Sequence, residues 1–264
     1  MAGRFYPADP DRMERDLLRY LTNPTRAHAS PRDAIALVAP HAGWMYSGAI
    51  AGQTYAQVRV PERVVVLCPN HTGLGVRQSL WASGTWRIPG GDVAVESTLA
   101  ERLQNLTTLE DDRLAHVREH AIEVHLPFLR AKNRDLRVVP ICLGGLSFPE
   151  CVQLGEALGH ALADERERVL IVASTDMSHY ISAELAQKLD RIALDRVAAL
   201  DAEGLFRVVT EQNISMCGYV PTTVTLIAAR VLGAKSAELV RYGNSGETSG
   251  DFARVVGYAG LVIE

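Results

Sequence analysis

Short apolar runs alternate along the chain with longer segments in which apolar residues recur every three or four positions. The short runs predict strands, and the longer segments predict amphipathic helices. Strands are predicted at residues 35–39, 64–67, 136–143, 169–173, 238–242 and 253–262. Helices are predicted at residues 47–57, 97–106, 122–130, 149–163, 183–200, 203–209 and 221–232. This alternation predicts an α/β sandwich around a mostly parallel or mixed sheet.

One segment departs from this alternation. Residues 78–97, QSLWASGTWRIPGGDVAVES, contain short apolar runs separated by a Pro-Gly-Gly turn. Such a pattern indicates antiparallel strands added to an edge or a face of the sheet. The chain contains no sequence repeat, low-complexity tract or long linker, so a single domain over residues 1–264 is expected.

Composition and charge narrow the class of protein. The net charge of −4 provides no basic excess that would attract nucleic acid or an anionic membrane. No stretch approaches the roughly 20 apolar residues of a membrane span, and the first residues lack the pattern of a signal peptide. The four cysteines are widely spaced, which is typical of reduced thiols. We therefore expect a cytoplasmic protein that binds neither nucleic acid nor a membrane.

Two predicted strands end in the same way, with a proline followed closely by a histidine. IALVAPHAG leads into His41, and VVVLCPNHTG leads into His71. In open α/β sheets ligands bind beyond the carboxyl ends of the strands, so both imidazoles are expected in one cleft. A lone loop histidine is usually only solvated or hydrogen-bonded, whereas the repeated pattern favours a metal pair. A third ligand is needed, for which Cys217 and Asp176 are the candidates.

A third predicted strand leads into STDMSHY, which contains Asp176 and His179. A carboxylate close to an imidazole can orient the ring and raise its basicity, as a general acid or base requires. The alternative is structural, because the same segment can introduce a helix in which Ser182 and Glu184 supply the capping groups.

Two further segments each allow two interpretations. HVREH, which ends at His120, matches the H-x-x-E-H pattern of inverted zinc peptidases, but three fixed letters are a weak signal, and a solvated turn entering a helix is the plain alternative. A role in a pocket wall is the better prediction for His120 and for Glu123. The glycine-rich loop from Gly243 to Gly250 could bind an anion through backbone N–H groups or could be an ordinary tight connection.

Short motifs follow one another in a fixed order from Ala2 to about Gly260. They are AGRFYP, PHAGWMYSG, CPNH, EHAIEVHLPFL, STDMSHY, CGYVP and SGETSGDFARVVGYAG. This series resembles that of the Memo family, whose first-described member mediates receptor-driven cell motility. Prokaryotic members are called protein B of the AmmeMemoRadiSam system. The resemblance implies one Memo-like domain over residues 1–264.

The Memo family is similar in fold to class III extradiol dioxygenases, which are non-haem iron enzymes that open catechol rings. The resemblance implies Fe(II) held by His41 and His71, with Cys217 where the dioxygenases place a carboxylate. It also implies that His179 is the catalytic acid or base and that Asp176 is a second catalytic residue. Because a thiolate prefers softer metals, copper and zinc are alternatives to iron.

Some residues differ from those that are common at the same positions of the family's motifs. Trp44 stands where tyrosine is common, and His125 stands where glutamine is common. Both changes could alter the shape of the pocket. Trp44, together with His120 and Glu123, is therefore predicted to line a substrate pocket.

Three functions are compatible with these residues. The first is a metal-dependent oxidoreductase, similar to a dioxygenase, that acts on an unknown small-molecule or peptide ligand. The second is a non-catalytic module that binds a peptide or a protein partner, and the third is a protein that handles a metal without turnover. The name of the prokaryotic system also suggests a functional link to a radical S-adenosylmethionine protein.

Overall fold

The computed structural model describes residues 1–22 and 30–264, and a large sheet forms its centre. Eleven strands of the described residues belong to this sheet. In chain order they are β1 (Ala36–Ala39), β2 (Arg63–Pro69), β3 (Gln78–Leu80), β4 (Thr85–Ile88), β5 (Gly91–Val95), β6 (Glu110–Asp111), β7 (Arg137–Leu143), β8 (Val169–Ser174), β9 (His179–Ile181), β10 (Ala237–Asn244) and β11 (Val255–Ile263).

Helices cover both faces of the sheet. In chain order the α-helices of the described residues are α1 (Pro10–Leu21), α2 (Trp44–Ala56), α3 (Ser97–Leu106), α4 (Leu126–Lys132), α5 (Phe148–Ala163), α6 (Ala183–Ala198), α7 (Ala202–Glu211), α8 (Tyr219–Val231) and α9 (Gly246–Ser249). A 3₁₀ turn at Glu123–His125 precedes α4 directly.

The strand order along the main path of the sheet is β10-β11-β1-β8-β2-β7-β3-β6. The four central strands β1, β8, β2 and β7 are parallel to one another. Antiparallel strands extend this centre, because β11 pairs with β1 and β3 pairs with β7. The predicted α/β class with a mostly parallel, mixed sheet is confirmed.

Alternate residues of the central strands point to opposite faces, and each face carries its own apolar core. Val65 and Leu67 belong to the core that includes residues of α5 and α8. Val64 and Val66 belong to the core that includes residues of α1, α2 and α4. Because both faces are covered, these strands carry continuous apolar runs rather than apolar residues at every second position.

The predicted antiparallel segment at residues 78–97 is confirmed. Strands β4 and β5 form a hairpin whose two-residue turn consists of Pro89 and Gly90. Gly90 has a φ of 79°, a left-handed conformation that glycine adopts without strain. Strand β5 then pairs with β7, so the hairpin is attached to the sheet.

Some predicted boundaries are wrong, and α1 was not predicted. Helix α2 begins at Trp44, three residues before the predicted start, and the predicted helix at 122–130 is a 3₁₀ turn followed by α4. Helix α1 buries Met13, Leu17 and Tyr20, which are spaced for one helix face. The many charged residues between them hid this spacing.

The loop from Gly243 to Gly250 ends β10 and forms the short helix α9. Glu247 accepts a hydrogen bond from the Asn244 backbone N–H inside this loop, as in a tight connection, and the alternative of anion binding stays a prediction. Among the described residues, no helix is long and apolar enough to cross a membrane. The single domain over residues 1–264 also stays a prediction.

Candidate metal centre

The ends of three parallel strands bring distant segments together at one edge of the sheet. Ala39, the last residue of β1, pairs with Ser174, the last residue of β8, and β2 lies on the other side of β8. The segments that follow these strands carry His41, His71 and Asp176. The fold therefore collects side chains that are far apart in the sequence.

Three imidazoles form the centre of this site. His41, His71 and His120 each offer a nitrogen atom, and these atoms lie within 4.8 Å of one another. The ring centroids are 5.1 Å apart for His41 and His71, 5.3 Å for His41 and His120, and 4.9 Å for His71 and His120. We call these three residues the histidine cluster. Three imidazoles at such distances can hold one transition-metal ion.

The buried carboxylate of Glu119 orients two of these rings. Its Oε1 atom lies 2.9 Å from His71 Nδ1 and 3.2 Å from His120 Nδ1. The carboxylate also accepts hydrogen bonds from the backbone N–H groups of His71, His120 and Ala121. Burial alone would raise the pKa of Glu119, but hydrogen bonds from His120 and His71 outweigh burial and lower it. Glu119 is therefore ionised beside the cluster.

The protonation of the histidines follows from their surroundings. Burial is the main cause that lowers the pKa of His41, and the charges of His71 and His120 lower it further. Burial would also lower the pKa of His71, but the hydrogen bond to Glu119 outweighs it and raises this pKa. His41 is thus neutral, and the Nδ1–H group of His71 donates a hydrogen bond to the Glu119 carboxylate. A neutral imidazole is the form that binds a metal.

Cys217 and Asp176 lie beside His41. Cys217 Sγ is 3.3 Å from His41 Nε2 and accepts a hydrogen bond from the backbone N–H of Asp176. Asp176 Oδ1 accepts the backbone N–H of His41 at 2.8 Å, and its Oδ2 lies 3.9 Å from His41 Nε2. Burial raises the pKa of the Cys217 thiol and of Asp176. Cys217 is outside the histidine cluster, and its predicted role as a ligand stays a prediction.

His179 begins strand β9, which was not predicted from the sequence. Its backbone N–H donates to Ser215 Oγ at 2.7 Å, and its Nδ1 lies 2.8 Å from the Ser215 carbonyl oxygen. Because a carbonyl oxygen only accepts, Nδ1 carries the proton and Nε2 has the free lone pair when the ring is neutral. The predicted capping role of Ser182 is confirmed, since its side chain accepts the Leu185 N–H at the start of α6, and the acid or base role of His179 stays a prediction.

The three residues predicted to line a pocket lie in different surroundings. Trp44 is buried and donates its Nε1–H to the Val124 carbonyl oxygen at 3.1 Å. Glu123 accepts a hydrogen bond of 2.7 Å from the Tyr6 hydroxyl. His120 belongs to the histidine cluster, and Phe5 stacks on its outer face at 4.2 Å between centroids. The substrate pocket itself stays a prediction.

The HVREH segment forms the predicted turn ahead of a helix, but this turn is only partly solvated. It forms turns rather than the helix of a zinc peptidase, and the ring of His116 packs against Trp81 and Trp86 and is not part of the histidine cluster. Val117 is 63% exposed, as a solvated turn predicts, whereas His116 and Glu119 are only 2% and 3% exposed. The sequence did not predict that Glu119 orients the histidine rings, although this glutamate next to His120 belongs to the H-x-x-E-H pattern.

Together these features define a class: an α/β sandwich protein with a histidine-rich candidate metal centre at the carboxyl ends of its parallel strands. A family model described as Memo-like protein matches residues 1–262. The chain therefore belongs to the Memo family, as its motif series indicated.

Similar proteins cover the chain almost completely. A MEMO1 family protein of Methanopyrus kandleri is 39% identical, with 100% of this chain and 97% of that protein covered. A MEMO1 family protein of Aquifex aeolicus is 38% identical, with the same coverage. Among solved structures, an uncharacterized protein of Escherichia coli K12 is similar at a TM-score of 0.51 and 16% identity, covering 84% of this chain and 98% of that one. At this identity the likeness supports the fold alone.

Proposed function

We propose that the histidine cluster holds one transition-metal ion and that the protein uses this ion in a redox reaction on a small organic substrate. The observation that carries the proposal is the approach of three ligand nitrogens to within 4.8 Å of one another. Hydrogen bonds support the ligand role. Nδ1 of His41 contacts Ser174 and Nδ1 of His71 contacts Glu119, which leaves Nε2 of both rings available.

The donor set fits a transition metal rather than calcium or magnesium, which prefer oxygen ligands. Cys217 is the proposed fourth ligand. A nitrogen and a sulfur bound to one tetrahedral ion are roughly 3.5 Å apart, from bond lengths of about 2.1 and 2.3 Å. The separation of 3.3 Å between Cys217 Sγ and His41 Nε2 is close to this value. Iron(II) is the proposed metal, with copper and zinc as the alternatives.

A bound iron or copper ion would supply redox chemistry with O₂ or with the substrate. The protein would supply proton transfer. His179 has Nδ1–H fixed by Ser215, so Nε2 can accept a proton. Asp176 Oδ1 holds the backbone of His41 in place, and the carboxyl group lies beside the proposed ligands. Phe5 stacks on the ring of His120 and covers one of its faces.

Anaerobic reconstitution with Fe(II), followed by elemental analysis, tests the metal site. The wild-type protein is expected to retain about one ion per chain, and His41→Ala is expected to lose it. Cys217→Ser is expected to weaken binding and to remove any thiolate-to-metal absorption band. His160→Ala changes an exposed histidine on α5 and is the matched control. Equal metal content in all four proteins would reject the site.

Oxygen consumption with a panel of phenols and catechols tests the redox reaction separately. The iron-loaded protein is expected to consume O₂ with at least one compound, and His179→Gln is expected to lose this activity while keeping its metal. Metal binding without O₂ consumption would favour a metal-handling protein. Capture of a peptide or protein partner that survives removal of the metal would favour the non-catalytic binding module.

A further inference from the structure

On the side away from Cys217, the His41 ring is hydrogen-bonded to a chain of buried polar groups. Its Nδ1 lies 2.7 Å from Ser174 Oγ, and the same oxygen lies 2.9 Å from His125 Nε2. On the other side of His125, Nδ1 lies 3.0 Å from the Tyr55 hydroxyl. All four side chains are at most 1% exposed. We call Tyr55, His125 and Ser174 the buried relay.

The direction of each hydrogen bond follows from the donors that are present. Ser174 has one hydroxyl proton, and its Oγ lies 2.6 Å from the carbonyl oxygen of Ala121. A carbonyl oxygen only accepts, so the Ser174 proton is directed there. Ser174 Oγ can then only accept from the two imidazoles. Nδ1 of His41 and Nε2 of His125 must therefore both carry protons.

The rest of the relay is consistent with this assignment. Burial is the main cause that lowers the pKa of His125 to about 3, so the ring is neutral and has one N–H group. That group is Nε2–H, which leaves Nδ1 to accept the Tyr55 hydroxyl proton. Every group of the relay then has a partner, as buried polar groups require. The bond from His125 also occupies a lone pair of Ser174 and directs the hydroxyl proton towards Ala121.

We infer that Ser174 and His125 are positioning residues that fix the tautomer of His41 with the proton on Nδ1 and the lone pair on Nε2. Nε2 is the nitrogen that lies 3.3 Å from Cys217 Sγ, on the side of the proposed metal. His41 is thus oriented by a neutral hydroxyl and imidazole, whereas His71 and His120 share the carboxylate of Glu119. The consequence for metal binding rests on the proposed function, but the tautomer does not depend on it.

Nuclear magnetic resonance of chelator-treated protein labelled with ¹⁵N-histidine tests this inference without any metal. Long-range proton–nitrogen spectra identify the protonated nitrogen of each neutral ring, and single His→Gln variants assign the signals. The wild type is expected to show His41 protonated at Nδ1 and His125 protonated at Nε2. A proton on His41 Nε2 in the wild type would overturn the inference.

Two substitutions then distinguish the role of Ser174 from that of Tyr55. Ser174→Ala removes the acceptor and is expected to give a mixture of His41 tautomers, whereas Tyr55→Phe leaves the bond from His125 Nε2–H to Ser174 in place and is expected to keep the tautomers of both rings. An unchanged single His41 tautomer in folded Ser174→Ala would contradict the role of Ser174. In Fe(II) titrations, Ser174→Ala is expected to raise Kd about 10- to 100-fold. If the wild type binds no metal, the proposed function fails while the tautomer test still stands.

Discussion

At the scale of single residues, one carboxylate holds two segments of the histidine cluster together. Glu119 accepts hydrogen bonds from backbone N–H groups on both sides of the site, at His71 and at His120 with its neighbour Ala121. It also fixes the Nδ1 proton of His71. Because the carboxylate is buried, these bonds are not replaced by water when one of them is lost.

Glu119→Gln tests this role with a side chain of the same shape. The glutamine side chain carries no charge, and its NH₂ group would face N–H groups that need an acceptor. The rings of His71 and His120 therefore lose their orientation. We expect Kd for Fe(II) to rise about 10- to 100-fold in a competition titration. Glu156→Gln, on the exposed side of α5, is the control and should bind as the wild type does. Equal affinity in the two variants would contradict this role.

His116 predicts how stability depends on pH. Burial is the main cause that lowers its pKa from 6.5 to about 4, so the unfolded chain takes up a proton before the folded protein does. Stability is therefore full above pH 6.5 and falls as the pH decreases towards 4. The expected loss from this residue is about 2 kcal/mol between pH 7 and pH 4.5.

Urea unfolding of wild type and His116→Leu at these two pH values measures the effect. Leucine removes the titrating group, so the free energy of unfolding of the variant should depend less on pH by that amount. His41 and His125 titrate in both proteins, and their contribution cancels in the difference. The same loss in wild type and variant would show that folding does not shift the pKa of His116.

At the scale of elements, the packing of α5 against α8 fixes the segment that carries Cys217. Helix α8 begins two residues after Cys217, and the backbone N–H of Gly218 between them donates to Thr175 Oγ1, just beyond β8. Gly155 of α5 allows the close approach, because a Cβ atom there would lie 2.7 Å from Ile227 Cβ of α8. The glycine is needed for space rather than for an unusual φ angle.

Gly155→Ala is therefore expected to destabilise the protein although alanine favours a helix. The gain in helix propensity is about 1 kcal/mol, and overpacking costs about 1–3 kcal/mol. We expect a net loss of about 1 kcal/mol in the free energy of unfolding, measured with urea. Gln153→Ala, on the exposed side of the same helix, should change it by less than about 0.5 kcal/mol. A more stable Gly155→Ala protein would contradict the close packing.

The elements themselves were predictable where the local pattern is strong. The apolar runs before His41 and His71 identified β1 and β2, because a strand covered on both faces leaves a continuous apolar signal. Strand β9 was not predicted, since its three residues pair only with β11 and contain no apolar run. The boundaries of a helix also depend on tertiary contacts, which the local pattern does not contain. This explains why α2 begins earlier than predicted.

At the scale of the whole molecule, the site combines predictable and unpredictable parts. The repeated strand, proline and histidine pattern predicted that His41 and His71 meet at one edge of the sheet. His120 reaches the same point from a turn that has no such pattern, so only the tertiary fold reveals its place in the cluster. The burial of Glu119 was hidden for the same reason, because a charged segment normally indicates a solvated surface.

The central claim is that the histidine cluster holds a metal ion, and anomalous X-ray diffraction tests it most directly. Crystals of the protein loaded anaerobically with Fe(II) would be measured above and below the iron absorption edge. We predict one anomalous peak, within about 2.3 Å of a nitrogen atom of His41, His71 and His120. Iron found at another position, or no peak at the cluster in crystals that contain one iron per chain, would contradict the claim.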